Sequence, residues 1–307
     1  MISFSVRDIS HKYNRSKELG LIELNDKQTK RVQEITLSIY RDIMTVCSKH
    51  NLNISLSGGS ALGAVRHHGF IPWDDDIDVM MPRSDYNRFL QLFKEELGDK
   101  YDMACPYAKY SNQFFYITKI IDRHSKWGDY FNNSVIFSEG LCVDVLPIDY
   151  VPNNFLLYYV KGFISIILLF IVNSRMMWIC RTNISDRLFS QTTFSSFYYY
   201  FRLMCGFITG VLPYRKWCSL FDSWVSQKKE SKRVSIPSGR NHYFKETHSV
   251  GIFFPFKKAK FEDVTSFIPN IENAYLSKLY GNNYMAIPPV NKRERHLCTY
   301  LDLPCES

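Results

Sequence analysis

The chain has 307 residues and carries 38 Lys and Arg against 30 Asp and Glu, a formal net charge of +8, with 46% hydrophobic and 22% charged residues. That length supports a full core in one or two domains, and the composition excludes an intrinsically disordered chain, which would be poorer in apolar residues. Its eight cysteines include no Cys-x-x-Cys pair, which argues against structural zinc and leaves reduced thiols in a cytosolic setting as the expectation.

Residues Met1 to Arg15 hold polar and charged positions without an apolar run, so no signal peptide is expected. Asn25 or Asp26 can cap a helix to about His50, with Val32, Ile35, Ile39, Ile43 and Val46 on one stripe. Ile54 and Leu56 begin a short strand over 54–57, which breaks at Gly58 and Gly59 before Ser60 opens a helix to about His67. Glycines let backbone N–H groups approach an anion, and a helix start presents unpaired donors and the positive end of a dipole. Gly58, Gly59 and Ser60 are therefore candidate phosphate-binding residues.

After the loop 69–75, four aspartates (Asp74, Asp75, Asp76 and Asp78) fall within five residues and lead into a strand over 76–81 closed by Pro82. On such a strand Asp76 and Asp78 share one face while Ile77 and Val79 turn into the core, and Asp75 is expected to face away. Two carboxylates on one edge repel each other unless a cation lies between them. A hard divalent ion, Mg²⁺ or Mn²⁺, bridging them to substrate phosphates is the usual solution.

A helix from Asp85 to Gly98 follows, with Phe89, Leu92, Phe93 and Leu97 as its stripe, and residues 114–121 are β-prone. Leu141–Leu146 is the near-continuous apolar run of a buried strand, interrupted by Asp144 alone. An acid between Val143 and Val145 needs a partner, either a nearby Arg or Lys or a metal shared with Asp76 and Asp78. Asp149, beyond Pro147, reads as structural. This order of strands and helices indicates an α/β or α+β sheet domain.

The midsection has a different character. Residues 151–260 hold 16 Lys and Arg against 4 Asp and Glu. Phe155–Val172 is the most hydrophobic stretch, with an uninterrupted part after Lys161 that is too short to span a bilayer comfortably. A second aromatic helix is expected around 194–212, and 227–240 reads as an exposed polar connector. The pair is either an insertion lying at an anionic membrane surface, with Arg175, Arg181, Arg187, Arg215 and Lys216 around it, or a buried helical hairpin. Further on, 271–280 is helical and Gly281 is its stop.

Three stretches resemble the LicD proteins, which group with fukutin and fukutin-related protein in the nucleotidyltransferase-fold superfamily. One is Gly-Gly-Ser at 58–60 followed by Ala-Val-Arg-His-His-Gly-Phe-Ile-Pro-Trp-Asp-Asp-Asp-Ile-Asp at 64–78; another is Val-Asp-Val-Leu-Pro-Ile-Asp at 143–149. The third is Tyr-Gly-x-x-Tyr-Met-x-x-Pro-Pro at 280–289, with Arg293, Arg295 and His296 after it. The resemblance covers about 50–150 and 250–296 and leaves the basic midsection unmatched. It implies an α+β nucleotidyltransferase fold, a mixed sheet with flanking helices: a catalytic core over 25–150, a helical basic and aromatic insertion over 151–245, and a completing segment over 246–307.

The resemblance also implies a chemistry. A phosphate-linked group, typically phosphocholine from CDP-choline, would pass to a glycan precursor of lipopolysaccharide, capsule or teichoic acid type, with CMP leaving. Asp144 would be the third metal acid beside Asp76 and Asp78, and would help deprotonate the attacking hydroxyl. Arg66 and Lys119 are candidates for the donor's phosphates, against plain salt bridges. Arg295 and His296 are candidates for substrate contact, against a structural histidine. A CDP-alcohol, a glycan or lipid-linked glycan and an anionic membrane surface are the expected partners, and no nucleic acid is. The expected location is cytoplasmic, peripheral at the inner face of the cell membrane. Two rivals stand beside this reading: a nucleotidyltransferase that moves the nucleotide itself, and a silent membrane scaffold, for which clustered aspartates would be superfluous.

Overall fold

The computed structural model describes residues 19–227, 229–293 and 296–304. Met1–Arg15, where no signal peptide was expected, and Arg295 lie outside the described residues.

Strand β1 (Ile22–Glu23) precedes helix α1 (Asp26–Lys49). Asn25 caps that helix by accepting from the Gln28 amide at 2.9 Å, while the Gln28 side chain accepts from the Asn25 amide at 3.0 Å. Val32, Ile35, Ile39, Ile43 and Val46 are all buried, so the stripe faces the core. Next come β2 (Ser55–Leu56), α2 (Gly58–His67) and β3 (Ile77–Pro82). The helix begins at the first glycine rather than at Ser60, and Asp76 stands just before its strand rather than on it. After β3 the chain turns at once into α3 (Arg83–Glu96), then β4 (Tyr101–Ala104), β5 (Thr118–Asp122), β6 (Lys126–Gly128) and β7 (Cys142–Tyr150). The β-prone run from 114 yields a strand only from Thr118.

Four helices then follow: α4 (Phe155–Ile179), α5 (Asn183–Phe189), α6 (Thr193–Ile208) and α7 (Tyr214–Val225). At 25 residues α4 is long and apolar enough to cross a membrane, unlike the shorter segment expected. The expected connector 227–240 contains β8 (Arg233–Ser235), which pairs with β7 and with β9 (His248–Ser249). A hairpin of β10 (Lys257–Phe261) and β11 (Val264–Ile268) leads to α8 (Glu272–Tyr280), stopped by Gly281 at φ +87°. Two last strands, β12 (Leu297–Cys298) and β13 (Tyr300–Asp302), pair with β1 and β6.

The main sheet runs β2-β3-β7-β5-β4, with β8 and β9 added beside β7. Only β3 and β7 are parallel; the other pairs are antiparallel, so this is a mixed sheet of the α+β class. Ile77, Val79, Val143 and Val145 are wholly buried, and the acids between them lie on the opposite face. Pro147 lies inside β7, opposite Met81. Asp149, also buried in β7, is gripped by Arg83 through Nε at 2.8 Å, and the same guanidinium reaches Asp222 of α7 at 3.0 Å. That ion cluster ties the two parallel strands to the helical section.

Candidate active site

The glycine turn and the acidic strand are stitched together through the backbone. The Ser57 amide donates to the Asp78 carbonyl and the Asp78 amide to Ser60 Oγ, both at 2.9 Å. Gly58 takes φ +49°, a conformation that favours glycine, and its amide donates to Tyr275 Oη of α8 at 3.0 Å. Of the three expected phosphate donors, the Gly58 amide is thus already engaged, and the Ser60 hydroxyl is buried in positioning Asp78. The Gly59 and Ser60 amides remain as first-turn donors, which lack a partner one turn back. A Cβ at Gly59 would stand 3.2 Å from Asp74 Oδ2, and one at Gly58 would stand 3.7 Å from Asp78 Oδ2. The helix start therefore lies directly against carboxylates.

Strand register brings the distant acid in. Asp78 is opposite Asp144 on β7, and Asp144 is opposite Lys119 on β5, so the three side chains form a row across the sheet. Lys119 Nζ donates to both Asp144 oxygens, at 2.6 and 2.9 Å. Burial opposes the charge on Lys119, but the Asp144 carboxylate outweighs it and holds the pKa above the ordinary lysine value. Lys119 is thus one partner of Asp144: the salt bridge is present, and the lysine points along the sheet to that acid.

The aspartates before β3 make a second group. Asp75 is buried and hydrogen-bonds Nδ1 of His296, while His296 Nε2 lies 3.9 Å from Asp76 Oδ2. Asp75 therefore does not face away. Asp74, Asp75 and His296 each offer a ligand atom within 4.8 Å of the others. The Gln33 side chain donates to the Asp74 carbonyl at 2.7 Å and pins the loop to α1. Burial, then the negative charge of Asp76, raises the Asp74 pKa well above the usual carboxylate range; His296 opposes this, and Asp75 and Asp78 add to it. These carboxylates and the imidazole could together hold a cation.

Arg66 has main-chain partners instead of a salt bridge or open space. Its Nη1 donates to the carbonyls of Tyr284 at 2.9 Å and Ala286 at 3.2 Å, which clamps the 280–289 segment against α2. The Arg293 guanidinium lies 4.2 Å from the centre of the Trp73 ring. A cavity of about 130 Å³ opens beside it, lined by Trp73, Asp75, Arg293, His296, Asp26 and Thr29. Ligand pockets usually run to roughly 300–1,000 Å³, so the enclosed part has room for a small group. Asp74 and Asp75 were visible only as members of the acid run. Their signal was the density of four acids in five residues, more than one strand face could use.

Residues 51–157 match the LicD/FKTN/FKRP nucleotidyltransferase domain family. The chain is 34% identical over 132 residues to the lipopolysaccharide cholinephosphotransferase LicD of Haemophilus influenzae, an alignment covering 42% of this chain and 47% of that protein. It is also 34% identical over 89 residues to an uncharacterized protein of Rickettsia typhi, covering 27% and 29%, and 33% identical over 94 residues to one of Rickettsia prowazekii, covering 28% and 35%. The aligned part spans less than half the length of each of these relatives.

Proposed function

From the match of residues 51–157 to the LicD/FKTN/FKRP nucleotidyltransferase domain family, we propose that the protein transfers a phospho-alcohol group of phosphocholine type from a CDP-activated donor to a cell-surface glycan precursor. The observation that carries this reading is the helix start at Gly58–Ser60 set against Asp74 and Asp78, a place for phosphate beside a place for a cation. Asp76 and Asp78, with Asp74 beside them, would hold Mg²⁺ or Mn²⁺, which when bound neutralises phosphate charge and stabilises the attacking and leaving oxygens. The Gly59 and Ser60 amides orient the donor's phosphates. Asp144, with both oxygens accepting from Lys119, is poorly placed to take a proton; Asp75 and His296 take over that part. Buried Asp75 fixes the imidazole, and the small cavity beside His296 seats the acceptor hydroxyl that loses its proton to the ring.

Incubation with CDP-choline, CDP-ribitol and CDP-glycerol in the presence of Mg²⁺, scored for CMP, tests this. CMP released faster with one donor, and faster still with a glycan acceptor, is the expected result. Pyrophosphate released from a nucleoside triphosphate instead would establish nucleotidyl transfer. Silence in both assays would leave the scaffold reading.

A further inference from the structure

We propose that the outward face of α4 and α6 is a membrane-binding surface that sinks into an anionic bilayer in its plane, without crossing it. Along α6 and the turn after it, Phe194, Phe197, Phe201, Met204, Ile208 and Val211 recur every three or four residues, and all are exposed, Val211 by 83%. Leu156, Val160, Phe163 and Ile167 do the same on α4. The two stripes form one face because the helices lie together: the Phe170 and Phe201 rings are 6.2 Å apart, and Arg175 Nη1 donates to the Gly206 carbonyl at 3.0 Å. A continuous apolar surface of this kind is rarely left to water.

Charge says what covers it. At one end Val211 and Leu212 run into exposed Arg215 and Lys216. At the other, the Lys232 amide is held by Asn153 Oδ1 at 3.1 Å, just before α4, and exposed Lys245 follows Phe244, whose ring packs 5.3 Å from Phe163. An apolar face with basic side chains at both ends fits anionic headgroups around inserted side chains.

The geometry opposes crossing, although only 33% of the most apolar part of α4 is buried. The helix is held from end to end by the domain beneath it. Tyr158 packs on Tyr243, and the Trp224 indole donates to the Lys161 carbonyl at 3.1 Å. Val172 is wholly buried, and Met177 and Cys180 share a cluster with Phe131. A helix threaded through a bilayer would lose all of these contacts.

The test is sedimentation of the full chain with vesicles of phosphatidylglycerol and phosphatidylethanolamine, against vesicles of phosphatidylcholine alone. Binding to the anionic vesicles should be stronger by at least about tenfold and should fall only in part at high salt. Phe197→Asp with Val211→Asp, both at exposed positions, should remove the salt-resistant part while the thermal midpoint stays put. Arg215→Glu with Lys216→Glu should remove the salt-sensitive part. Wild-type protein left in the supernatant with anionic vesicles would overturn the proposal. So would a dimer that the aspartate pair converts to monomer without any vesicle binding, which would make the face a contact between copies. Bound protein that resists alkaline carbonate extraction would overturn the in-plane arrangement. No donor or acceptor enters this assay, so its outcome is separate from that of the CDP-alcohol panel.

Discussion

Asp76 and Asp78 carry the metal reading, and each should fail alone. Asp76→Asn and Asp78→Asn are expected to cut CMP release by at least about 10²-fold while leaving the metal-free protein folded and, through relief of repulsion, slightly more stable. Turnover and thermal midpoint measured on the same preparations check this. His296→Gln removes the proton acceptor and should cost about 10²–10⁴-fold in kcat, with Asp75→Asn following it, because a neutral asparagine no longer secures the tautomer or stabilises the protonated ring. If His296→Gln retains most of the turnover, the proton goes elsewhere.

A different residue sets a pH dependence of stability. Glu246 is 2% exposed, and burial raises its pKa from 4.5 to about 7 against the Asn241 amide, Lys278 and Arg240. The folded state therefore holds this proton over a range where the unfolded state has lost it. The stabilisation is complete below about 4.5 and disappears as pH rises through about 7. Glu246→Gln keeps an acceptor for the Asn241 amide, which donates to the native carboxylate at 3.0 Å, and should add about 1–3 kcal/mol at pH 8. His248, pushed down to about 4 by burial, acts in the opposite sense and gains stability as pH rises from about 4 to 6.5. Urea denaturation from pH 4 to 8 of the wild type and Glu246→Gln separates the two.

Strands and helices decide which partners these residues meet. The pairing of Asp78, Asp144 and Lys119 is a matter of register: β3 and β7 run parallel and β5 runs against β7. Lys119→Met strands a carboxylate in a largely buried place and should cost about 3–5 kcal/mol, while Lys119→Met with Asp144→Asn should cost less than the single change. Denaturant midpoints of the two variants check this. Mg²⁺ that restores stability to Lys119→Met, and not to the double variant, would show Asp144 able to ligate the ion.

At this scale the sequence was legible where the pattern was local. The Asn25 cap, the α1 stripe, the Gly281 stop and the alternation of Ile77 and Val79 around Asp78 all follow from neighbours in the chain. What stayed hidden was long-range. Nothing near Arg66 announces that its guanidinium will hold the carbonyls of Tyr284 and Ala286, and nothing near Lys119 names Asp144. The three-residue β8 escaped because so short a strand in a lysine-rich run has the composition of a loop.

For the whole molecule, the question is how the helical section is joined to the sheet. Arg83 follows the last residue of β3, Asp149 lies in β7 and Asp222 in α7, and Tyr107 also donates to Asp222. One buried guanidinium therefore links both parallel strands to the helices that carry the apolar face. Burial alone would lower the Arg83 pKa, but Asp149 and then Asp222 hold it well above the ordinary value. Arg83→Met leaves two buried carboxylates without a cation and should destabilise the protein by about 3–5 kcal/mol. The loss should be read in thermal unfolding, and turnover per folded molecule should fall with it as the strands lose their brace. An unchanged midpoint would mean that the cluster is a contact and not a joint.

The site is also an event in time. His296 meets Asp75 across 221 positions, Tyr275 meets Gly58 across 217, and Arg66 meets Tyr284 across 218. On the ribosome the acidic loop and the apolar helices emerge first, and the 88 residues from Thr209 to His296 take about 4–18 s to follow. Contacts so distant in sequence form late in folding as well, because the intervening chain must be closed before they give anything back. A nascent chain thus has its greasy helices before it has a complete site, and can meet a lipid surface while still unable to consume an activated donor. Competence comes last, after the molecule has had the chance to reach the place where it works.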